Sequence, residues 1–478
     1  MSLPPPIVPC DEVALIDAAA ESLGCAVADL MERAGAALAL EARRLAGDGL
    51  VLVACGPGNN GGDGWVCARV LAEAGHPVAV WSVSDPASPL CRDQAERCPS
   101  QVPRVTAPPA GTTLIVDAIL GAGGRGRPRT PIDRALLTLR GTGLPVLAAD
   151  APTGLGTDLV LPATLTICFQ VAKSDLLGAA GVGEFKTVDI GIPEAAYKQV
   201  QPACMTRFPR HRRDGHKGNH GELLVIGGGR FPGALEFACR AAVIAGCDLV
   251  RAWTTQGPTL PPTIIAHRQD LDTLQPAEPS ELTPLIVRAS AVLIGNGIGR
   301  LAGAMEAAEQ AFSLCSDLGV PVIVDADGLS ILADTLRDLP IDAAPVLLTP
   351  HRGEARYLAG RSDDATLHAY ARANRVVLAK GPVDLVTDGS RWQHNHRGNP
   401  RLAVGGTGDV LAGLSAGLMA RGLAPFDAAR IAVLWLTEAG DECWREYGPC
   451  YDALTLLDRL PRTLRHFLEP LGIWPPVL

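Results

Sequence analysis

Short runs of apolar residues alternate along the first half of the chain with a segment whose apolar residues recur at helical spacing. The apolar runs cover residues 50–54, 77–83, 113–116 and 144–149, and the helical spacing covers residues 64–74. Alternation of strand and helix is typical of a parallel sheet covered by helices on both faces. The pattern therefore predicts an α/β fold.

The same alternation resumes in the second half of the chain. Its apolar runs cover residues 222–226, 291–294, 321–325, 344–348 and 376–378. Since a domain holds roughly 100–200 residues, a chain of 478 residues has room for two or three domains. We expect one domain over residues 1–205 and a second over residues 206–478.

An irregular stretch, residues 199–219, separates the two patterns. It contains two prolines and a basic cluster: Pro202, Pro209, Arg207, Arg210, Arg212, Arg213 and Lys217. The cluster could form an anion-binding patch. The composition and the lost periodicity favour a solvated linker instead.

Charge and cysteine content exclude several classes of protein. With a formal net charge of -9, the chain lacks the broad positive field that non-specific nucleic-acid binding needs. The 13 cysteines form no CxxC pair, as is typical of reduced thiols in the cytoplasm. No apolar run reaches ~18 residues, and residues 1–10 lack the features of a secretory signal. We therefore expect a cytoplasmic protein that binds neither nucleic acid nor membranes.

A glycine-rich segment, Gly56–Gly64, follows the first predicted strand. We expect it to be a loop, with a helix beginning at Trp65. A strand, a glycine loop and a helix in this order point free backbone N–H groups at an anion, usually a phosphate. The bland alternative is a turn that tolerates Asn and Gly.

The polar residues of this segment argue against an ordinary redox site. The segment matches GxGxxG, but an NAD-binding domain also has an acidic residue at the end of the next strand, and Asp85 comes too late for that role. The amide and carboxylate oxygens of Asn59, Asn60 and Asp63 suit a hard cation or a ribose-phosphate instead.

Two further predicted strands end in a carboxylate and a polar loop. Asp117 precedes the glycine-rich loop Gly121–Arg127, and Asp150 precedes Thr153 and Gly154. A single aspartate at a strand end is usually a helix N-cap. Three polar strand ends together predict a ligand crevice, because open α/β sheets bind ligands at the carboxyl ends of their strands.

These segments resemble the NAD(P)H-hydrate epimerase family over residues 10–195. The resemblance is carried by GPGNNGGDG, DAILGAG and DAPTG, by Val188–Pro193 and by Leu30–Gly35. It implies a Rossmann-like three-layer sandwich with a catalytic Asp150, since a carboxylate can move the proton that inversion at C6 of the nicotinamide ring requires. It also implies potassium bound by Asn60, Asp117 and the hydroxyl of Thr153, which stands where the family usually has serine.

The same resemblance implies where the hydrated cofactor binds. Its contacts are Asn59, Asn60, Gly61, Gly62, Asp63, Gly121, Ala122, Gly123, Gly124, Arg125, Gly126, Arg127 and Asp150. Family members often have tyrosine at the position that aligns with Ile132, so one ligand contact is missing in this chain.

A second glycine-rich segment, Ala403–Asp409, opens the helix predicted at residues 410–420. Amides at the start of a helix can hold a developing phosphoryl charge, and Asp409 can accept the proton of a substrate hydroxyl as phosphate is transferred. Base and anion site come here as one unit. That favours phosphoryl transfer over the alternative, a capped helix with a flexible entry.

The second half resembles the ribokinase-like NAD(P)H-hydrate dehydratase family over residues 210–470. Further motifs stand in the family's order: His216–Gly218, Gly227–Gly229, Pro232–Ala234, Gly295–Gly299, Asp325–Asp327, Thr349–Glu354 and Lys380–Gly381. The resemblance implies a ribokinase-like three-layer α/β/α fold. It implies the following contacts: hydrated cofactor at Ala234, Gly299, His351 and Asp409, and nucleotide at Lys380, Gly381, Pro382, Val383, Asp384 and Gly408.

Two motifs depart from that family's pattern. Where members commonly have KGAGT, this chain has Pro382 in the third position, which removes one backbone N–H that could hold phosphate. Where members have PGLG, this chain has Asn296 in place of the proline, and it keeps the outer glycine at Gly299.

The two resemblances together imply a repair enzyme for damaged nicotinamide cofactor. The first domain would interconvert the R and S forms of hydrated NADH and NADPH. The second would dehydrate the S form at the expense of ADP or ATP with Mg²⁺, since phosphorylation turns a poor leaving group into a good one. A homo-oligomer is expected. The alternatives are a ribokinase-like vitamin kinase with an accessory nucleotide-binding domain and a non-catalytic scaffold.

Overall fold

The computed structural model describes residues 3–257 and 259–477. The chain forms two compact units. One comprises Pro5–Tyr197, and the other comprises the described residues from Lys198 onward together with Leu3 and Pro4. The stretch 198–205, which the sequence pattern assigned to the first domain, therefore lies with the second unit.

The first unit is built on a sheet of six parallel strands in the order β3-β2-β4-β5-β6-β8. The elements, in chain order, are β1 Ile7–Val8, α1 Val13–Ser22, α2 Val27–Ala46, β2 Leu50–Cys55, α3 Asn59–Glu73, β3 Val78–Ser82, α4 Pro89–Arg97, β4 Thr112–Ala118, α5 Ile132–Gly141, β5 Val146–Ala149, β6 Leu165–Phe169, β7 Ala172–Lys173 and β8 Glu184–Val188, with α6 Glu194–Lys198 at the boundary. The short strands β1 and β7 pair separately and in parallel.

Alternate residues of β2 face opposite layers of this unit. Leu52 and Ala54 join an apolar core with Leu136 of α5. A Cβ on Gly64 of α3 would touch Val53 on the other side of the strand. Because successive side chains of a strand point to opposite faces, the sheet lies between two helical layers. This is the predicted three-layer sandwich.

The helix α3 begins at Asn59, six residues before the predicted start at Trp65. The glycines of this segment are required by packing inside the helix. A Cβ on Gly61 would lie 2.0 Å from the carbonyl oxygen of Gly56, and one on Gly62 would lie 2.5 Å from the sulfur of Met31. The prediction of a loop was therefore wrong from Asn59 onward, because the glycines bring the helix close to its neighbours and do not keep it from forming.

The second unit has a nine-stranded sheet in the order β11-β10-β9-β12-β13-β14-β15-β16-β17. Its elements are β9 Glu222–Ile226, α7 Pro232–Ile244, β10 Leu249–Thr254, β11 Ile264–Arg268, α8 Pro279–Arg288, β12 Ala291–Ile294, α9 Ala302–Asp317, β13 Val322–Val324, α10 Asp327–Ile331, α11 Ala333–Arg337, β14 Val346–Leu348, α12 Ala355–Ala359, α13 Asp364–Tyr370, β15 Arg375–Ala379, β16 Asp384–Thr387, β17 Trp392–Asn395, α14 Thr407–Ala420, α15 Pro425–Tyr447 and α16 Ala453–Leu468. The strands from β11 to β15 are parallel, and β16 and β17 extend the sheet as an antiparallel hairpin.

Two apolar cores cover this sheet. Leu223 and Val225 of β9 belong to the core that includes residues of α7, α14, α15 and α16. Leu224 and Ile226 belong to the core that includes residues of α8 and α9. The central strand is thus buried on both faces, as expected for a parallel sheet between two helical layers.

Part of the stretch 199–219 is packed structure. A 3₁₀ helix covers Pro202–Arg207, and Met205 and Phe208 are buried in the second unit's core. Arg207 donates to Asp427 at 2.7 Å. The interpretation of this stretch as a solvated linker was therefore wrong for residues 202–208, because a few apolar side chains among the charges anchor it.

Within the described residues, no helix combines the length and the apolar character that crossing a membrane would need.

Candidate functional site

The first unit has a cleft of about 590 Å³ at the carboxyl ends of its strands. The polar and charged side chains that line it include Asp17, Asn59, Asn60, Asp63, Arg125, Asp150, Gln170 and Lys173. Residues from the Gly121–Arg127 loop complete one wall. The structure therefore brings the first glycine-rich segment, this loop and Asp150 to one site.

Asp150 forms a buried ion pair with Lys173 in this cleft. Asp150 has a φ of 64°, in the left-handed region, and its N–H donates to the carbonyl of Ile167 at 2.7 Å. Its Oδ1 accepts from Lys173 Nζ at 2.5 Å and from the Phe169 N–H at 3.2 Å. Lys173 is only 1% exposed. Burial disfavours its ammonium, but the negative charge of Asp150 outweighs burial and raises the pKa of Lys173 above its usual value.

A second buried carboxylate, Asp117, ties β4 to the segment after β5. Its oxygens accept from the N–H of Thr153 at 2.8 Å, from the Thr153 hydroxyl at 2.7 Å and from the Ile119 N–H at 3.2 Å. Burial raises the pKa of Asp117, although these hydrogen bonds oppose the rise. The Asn60 side chain lies close by, against Gly121, whose Cβ would fall 2.6 Å from Asn60 Oδ1.

Two further carboxyl groups in the cleft, those of Asp17 and Asp63, accept no side-chain or backbone hydrogen bond within the described part of the chain. Burial, reinforced by the charge of Asp150, raises the pKa of Asp17 to about 6 and that of Asp63 well above its ordinary value. The cleft therefore holds three carboxyl groups and one ammonium, and two of the three favour the protonated form relative to a carboxyl in water.

The second unit places one polar side chain after each of four neighbouring parallel strands. These are Asn296 after β12, Asp325 after β13, Thr349 after β14 and Lys380 after β15. Asp325 accepts from Lys380 Nζ at 2.8 Å, from the Thr349 hydroxyl at 2.7 Å and from Asn296 Nδ2 at 2.9 Å. Asn296 Nδ2 also donates to Asp409 Oδ1 at 2.7 Å. Neighbouring strand ends and the start of α14 thus form one hydrogen-bonded group.

Asp409 lies in the first turn of α14, beside the ammonium of Lys380. Burial, together with the negative charge of Asp325, raises the pKa of Asp409 to about 6, against the hydrogen bond from Asn296 and the charge of Lys380. A Cβ on Gly408 would lie 3.5 Å from Lys380 Nζ, so the glycine leaves space in front of the ammonium. The first N–H groups of a helix lack intrahelical partners. Amide, ammonium and carboxylate therefore converge as a site for transferring phosphate.

Comparison with known proteins gives the same division of the chain. Residues 27–174 match the family described as YjeF-related protein N-terminus, and residues 223–462 match the NAD(P)H-hydrate dehydratase family. The bifunctional NAD(P)H-hydrate repair enzyme of Hyperthermus butylicus is 36% identical, over 96% of this chain and 92% of that protein. The enzyme of the same name from Archaeoglobus fulgidus is 33% identical, over 95% and 97%. The chain belongs to the bifunctional NAD(P)H-hydrate repair enzyme family.

A solved structure supports the fold of the family's C-terminal part. A ribokinase-like superfamily protein from Enterococcus faecalis is 21% identical, with a TM-score of 0.50, and covers 56% of this chain and 96% of its own. The fold of the second unit is therefore ribokinase-like, as the sequence predicted.

The remaining residues that the dehydratase resemblance named lie around the Asp409 group in different ways. Ala234 packs beside Gly297, and the Gly299 N–H donates to Asp327 at 3.2 Å. His351 Nδ1 accepts from the N–H of Gly353 at 2.9 Å, and the ring is half exposed. These residues surround the group without belonging to it.

Asp384 has a different position from the one that the repair-family motif suggests. Its carboxylate accepts from the Gly381 N–H at 3.0 Å and from Asn395 Nδ2 at 3.0 Å. It is buried at the base of the turn between β15 and β16, while Pro382 is exposed at the tip. Asp384 therefore braces the turn, and Lys380 is the residue of this segment that lies next to Gly408.

Sequence reasoning missed four polar residues of this repair enzyme's two sites. They are Asp17 and Lys173 in the first unit and the side chains of Asn296 and Glu354 in the second. Glu354 lies close enough to Lys380 for their charges to interact, and burial raises its pKa. Lys173 follows a strand end, which is the signal that could have found it.

Proposed function

We propose that the first cleft interconverts the R and S forms of hydrated NAD(P)H, and that the Asp409 group dehydrates the S form with ADP or ATP. Membership of the bifunctional repair family supports both activities. The observation that carries the dehydratase assignment is the Asp409 carboxylate beside Lys380 and the glycine start of α14. A general base and a phosphate-binding group stand together there.

Asp409 would begin the dehydration by accepting the proton of the C6 hydroxyl. The hydroxyl oxygen then bonds to the terminal phosphorus of the nucleotide, whose bridging oxygen leaves with the electron pair. In the next step the electron pair of the ring nitrogen expels phosphate from C6. Loss of a proton from C5 restores the ring double bond. The hydroxide of the substrate thus leaves as part of inorganic phosphate.

Lys380 and the Gly408 amide would hold the phosphate oxygens during this transfer. Since the ammonium of Lys380 is already paired with Asp325, a nucleotide polyphosphate needs a further cation to balance its charge. Mg²⁺ bound to the nucleotide's own oxygens supplies that charge. Either ADP or ATP satisfies this chemistry, because both end in a phosphoryl group that can be transferred.

Asp150 would move the proton in the epimerase cleft, while Lys173 holds its Oδ1. Potassium fits the neighbouring residues by the chemistry of the donor set, which is the Asn60 amide, the buried Asp117 carboxylate and the Thr153 hydroxyl. The Asn60 amide oxygen lies 3.2 Å from the carbonyl oxygen of Ala149, a pair of acceptors that a cation would reconcile. Bound there, potassium would offset the charge of Asp117.

Cytoplasmic location is part of the proposal. All thirteen cysteines of the chain are unpaired, and a reducing compartment suits such thiols.

The test uses the full chain and separated epimers of hydrated NADH. We expect the absorbance band of NADH to return only when Mg²⁺ and ADP or ATP are present, and we expect the R form to turn into the S form without nucleotide. A kinase of another small molecule would give a stable phosphorylated product and no NADH. Failure to recover NADH from the S form under any of these conditions would contradict the proposal.

Dehydration should depend on pH through Asp409. The base works only when ionised, and its pKa is raised to about 6. We therefore expect kcat to fall about tenfold for each pH unit below that value and to level off above it. The measurement is kcat for the S form against pH at saturating nucleotide. A profile that stays flat down to about pH 4, the range of an ordinary carboxyl, would exclude Asp409 as the base.

A further inference from the structure

Asn296 is a buried amide with both of its hydrogens committed to carboxylates. It is 0% exposed, and its Nδ2 donates to Asp409 Oδ1 at 2.7 Å and to Asp325 Oδ2 at 2.9 Å. Its Oδ1 has no hydrogen-bond partner in the described chain. The two acidic groups of the site are thus joined through one neutral side chain.

This arrangement is poor as a stabilising device. A buried acceptor without a partner destabilises a folded protein, and two carboxylates close together repel each other. The amide nevertheless gives both hydrogens to the carboxylates and leaves its oxygen unsatisfied. The hydrogen bonds are therefore better explained by what they do to Asp409 and Asp325 than by any gain in stability.

The charged groups around Asp409 give Asn296 a definite electrostatic role. Asp325 raises the pKa of Asp409, whereas Asn296 and Lys380 lower it. Glu354 acts on Lys380 and lies under His351, whose N–H donates to it at 2.9 Å. Among these groups Asn296 is the side chain that donates a hydrogen bond directly to Asp409. A donor of this kind favours the ionised carboxylate and fixes its rotation.

We infer that Asn296 is a positioning residue for dehydration, which holds Oδ1 of Asp409 so that Oδ2 is the oxygen that accepts the substrate's proton. The inference rests on the proposed function of the Asp409 group. It applies to this chain in particular, because the PGLG pattern has proline at this position and proline has no side-chain donor.

The test compares two variants at this position with a control. In Asn296→Ala and Asn296→Pro the donor is removed, and the described chain shows no hydrogen bond from the Asn296 N–H that proline would break. Asn374→Ala is the control, since Asn374 is also buried and donates through Nδ2, but to the carbonyl of Pro340 at 2.7 Å. Each protein is assayed on the S form of hydrated NADH with ADP and Mg²⁺ across the acid range.

We expect the acid limb of kcat to move upward by roughly one pH unit in both Asn296 variants, and we expect KM for the S form to change little. The limb should stay in place in Asn374→Ala. The proline variant keeps the test decisive if the alanine variant does not fold. An unmoved limb in a folded Asn296 variant would overturn the inference while leaving the proposed function intact. By contrast, failure of the unaltered chain to produce NADH would contradict the proposed function itself.

Discussion

Asp409→Asn should lower kcat for dehydration of the S form by about 10²–10⁴-fold, the usual contribution of a general base. The amide has nearly the same shape as the carboxylate, but it cannot accept the proton of the C6 hydroxyl. KM for the substrate should change much less, because Lys380 and the start of α14 remain in place. The measurement is the return of NADH absorbance under saturating ADP and Mg²⁺, together with the rate of epimerisation, which should not change.

Asp388→Asn is a matched control for this variant. Asp388 is also a buried aspartate of the second unit, and its carboxylate accepts from the Ser390 N–H at 3.0 Å in the turn after β16. Its substitution should affect stability and leave dehydration close to that of the unaltered chain. Equal losses of dehydration in the two variants would show that Asp409 acts through the fold and not as a base.

The sequence predicted the parts of the second site that depend on local chemistry. Asp325, Lys380 and Asp409 each stand at a strand end or a helix start, where polar residues have few structural uses. It did not predict that Asn296 joins two of them. That contact depends on β12 lying beside β13 in the sheet, and strand order comes from long-range packing that no short segment encodes.

The strands that the hydrophobic pattern missed have weak local signals for a physical reason. Among them, β8 and β11 are edge strands. In β8, the exposed residues Glu184 and Lys186 interrupt any apolar run. Central strands such as β9 are buried on both faces and appear as continuous apolar runs, whereas edge strands have polar residues facing solvent. The predicted alternation therefore gave the core of each sheet and not its limits.

The same limit explains why Lys173 was missed. It lies four residues after the end of β6, a strand that the pattern did not identify. Its partner Asp150 is 23 residues away in sequence. Only the pairing of β5 with β6 brings the two side chains together, so the carboxylate was predicted without the ammonium that holds it.

Substitutions in this pair should separate catalysis from stability in the epimerase cleft. Asp150→Asn should slow epimerisation by about 10²–10⁴-fold, because the amide cannot carry the proton. Lys173→Met should also slow epimerisation, and it should lower the free energy of unfolding by roughly 3–5 kcal/mol, since it leaves Asp150, which is 7% exposed, without its partner charge. Epimer interconversion without nucleotide and denaturant unfolding measure the two effects.

The double variant Asp150→Asn with Lys173→Met decides between a catalytic and a purely structural pair. With both charges gone, no buried ion is left unpaired, so much of the stability lost in Lys173→Met should return. Epimerisation should not return, because the proton carrier is still missing. Recovery of epimerisation along with stability would mean that the ion pair only supports the fold and that another carboxyl, Asp17 or Asp63, moves the proton. Dehydration of the S form should be unaffected in all three variants, because the Asp409 group lies in the other unit.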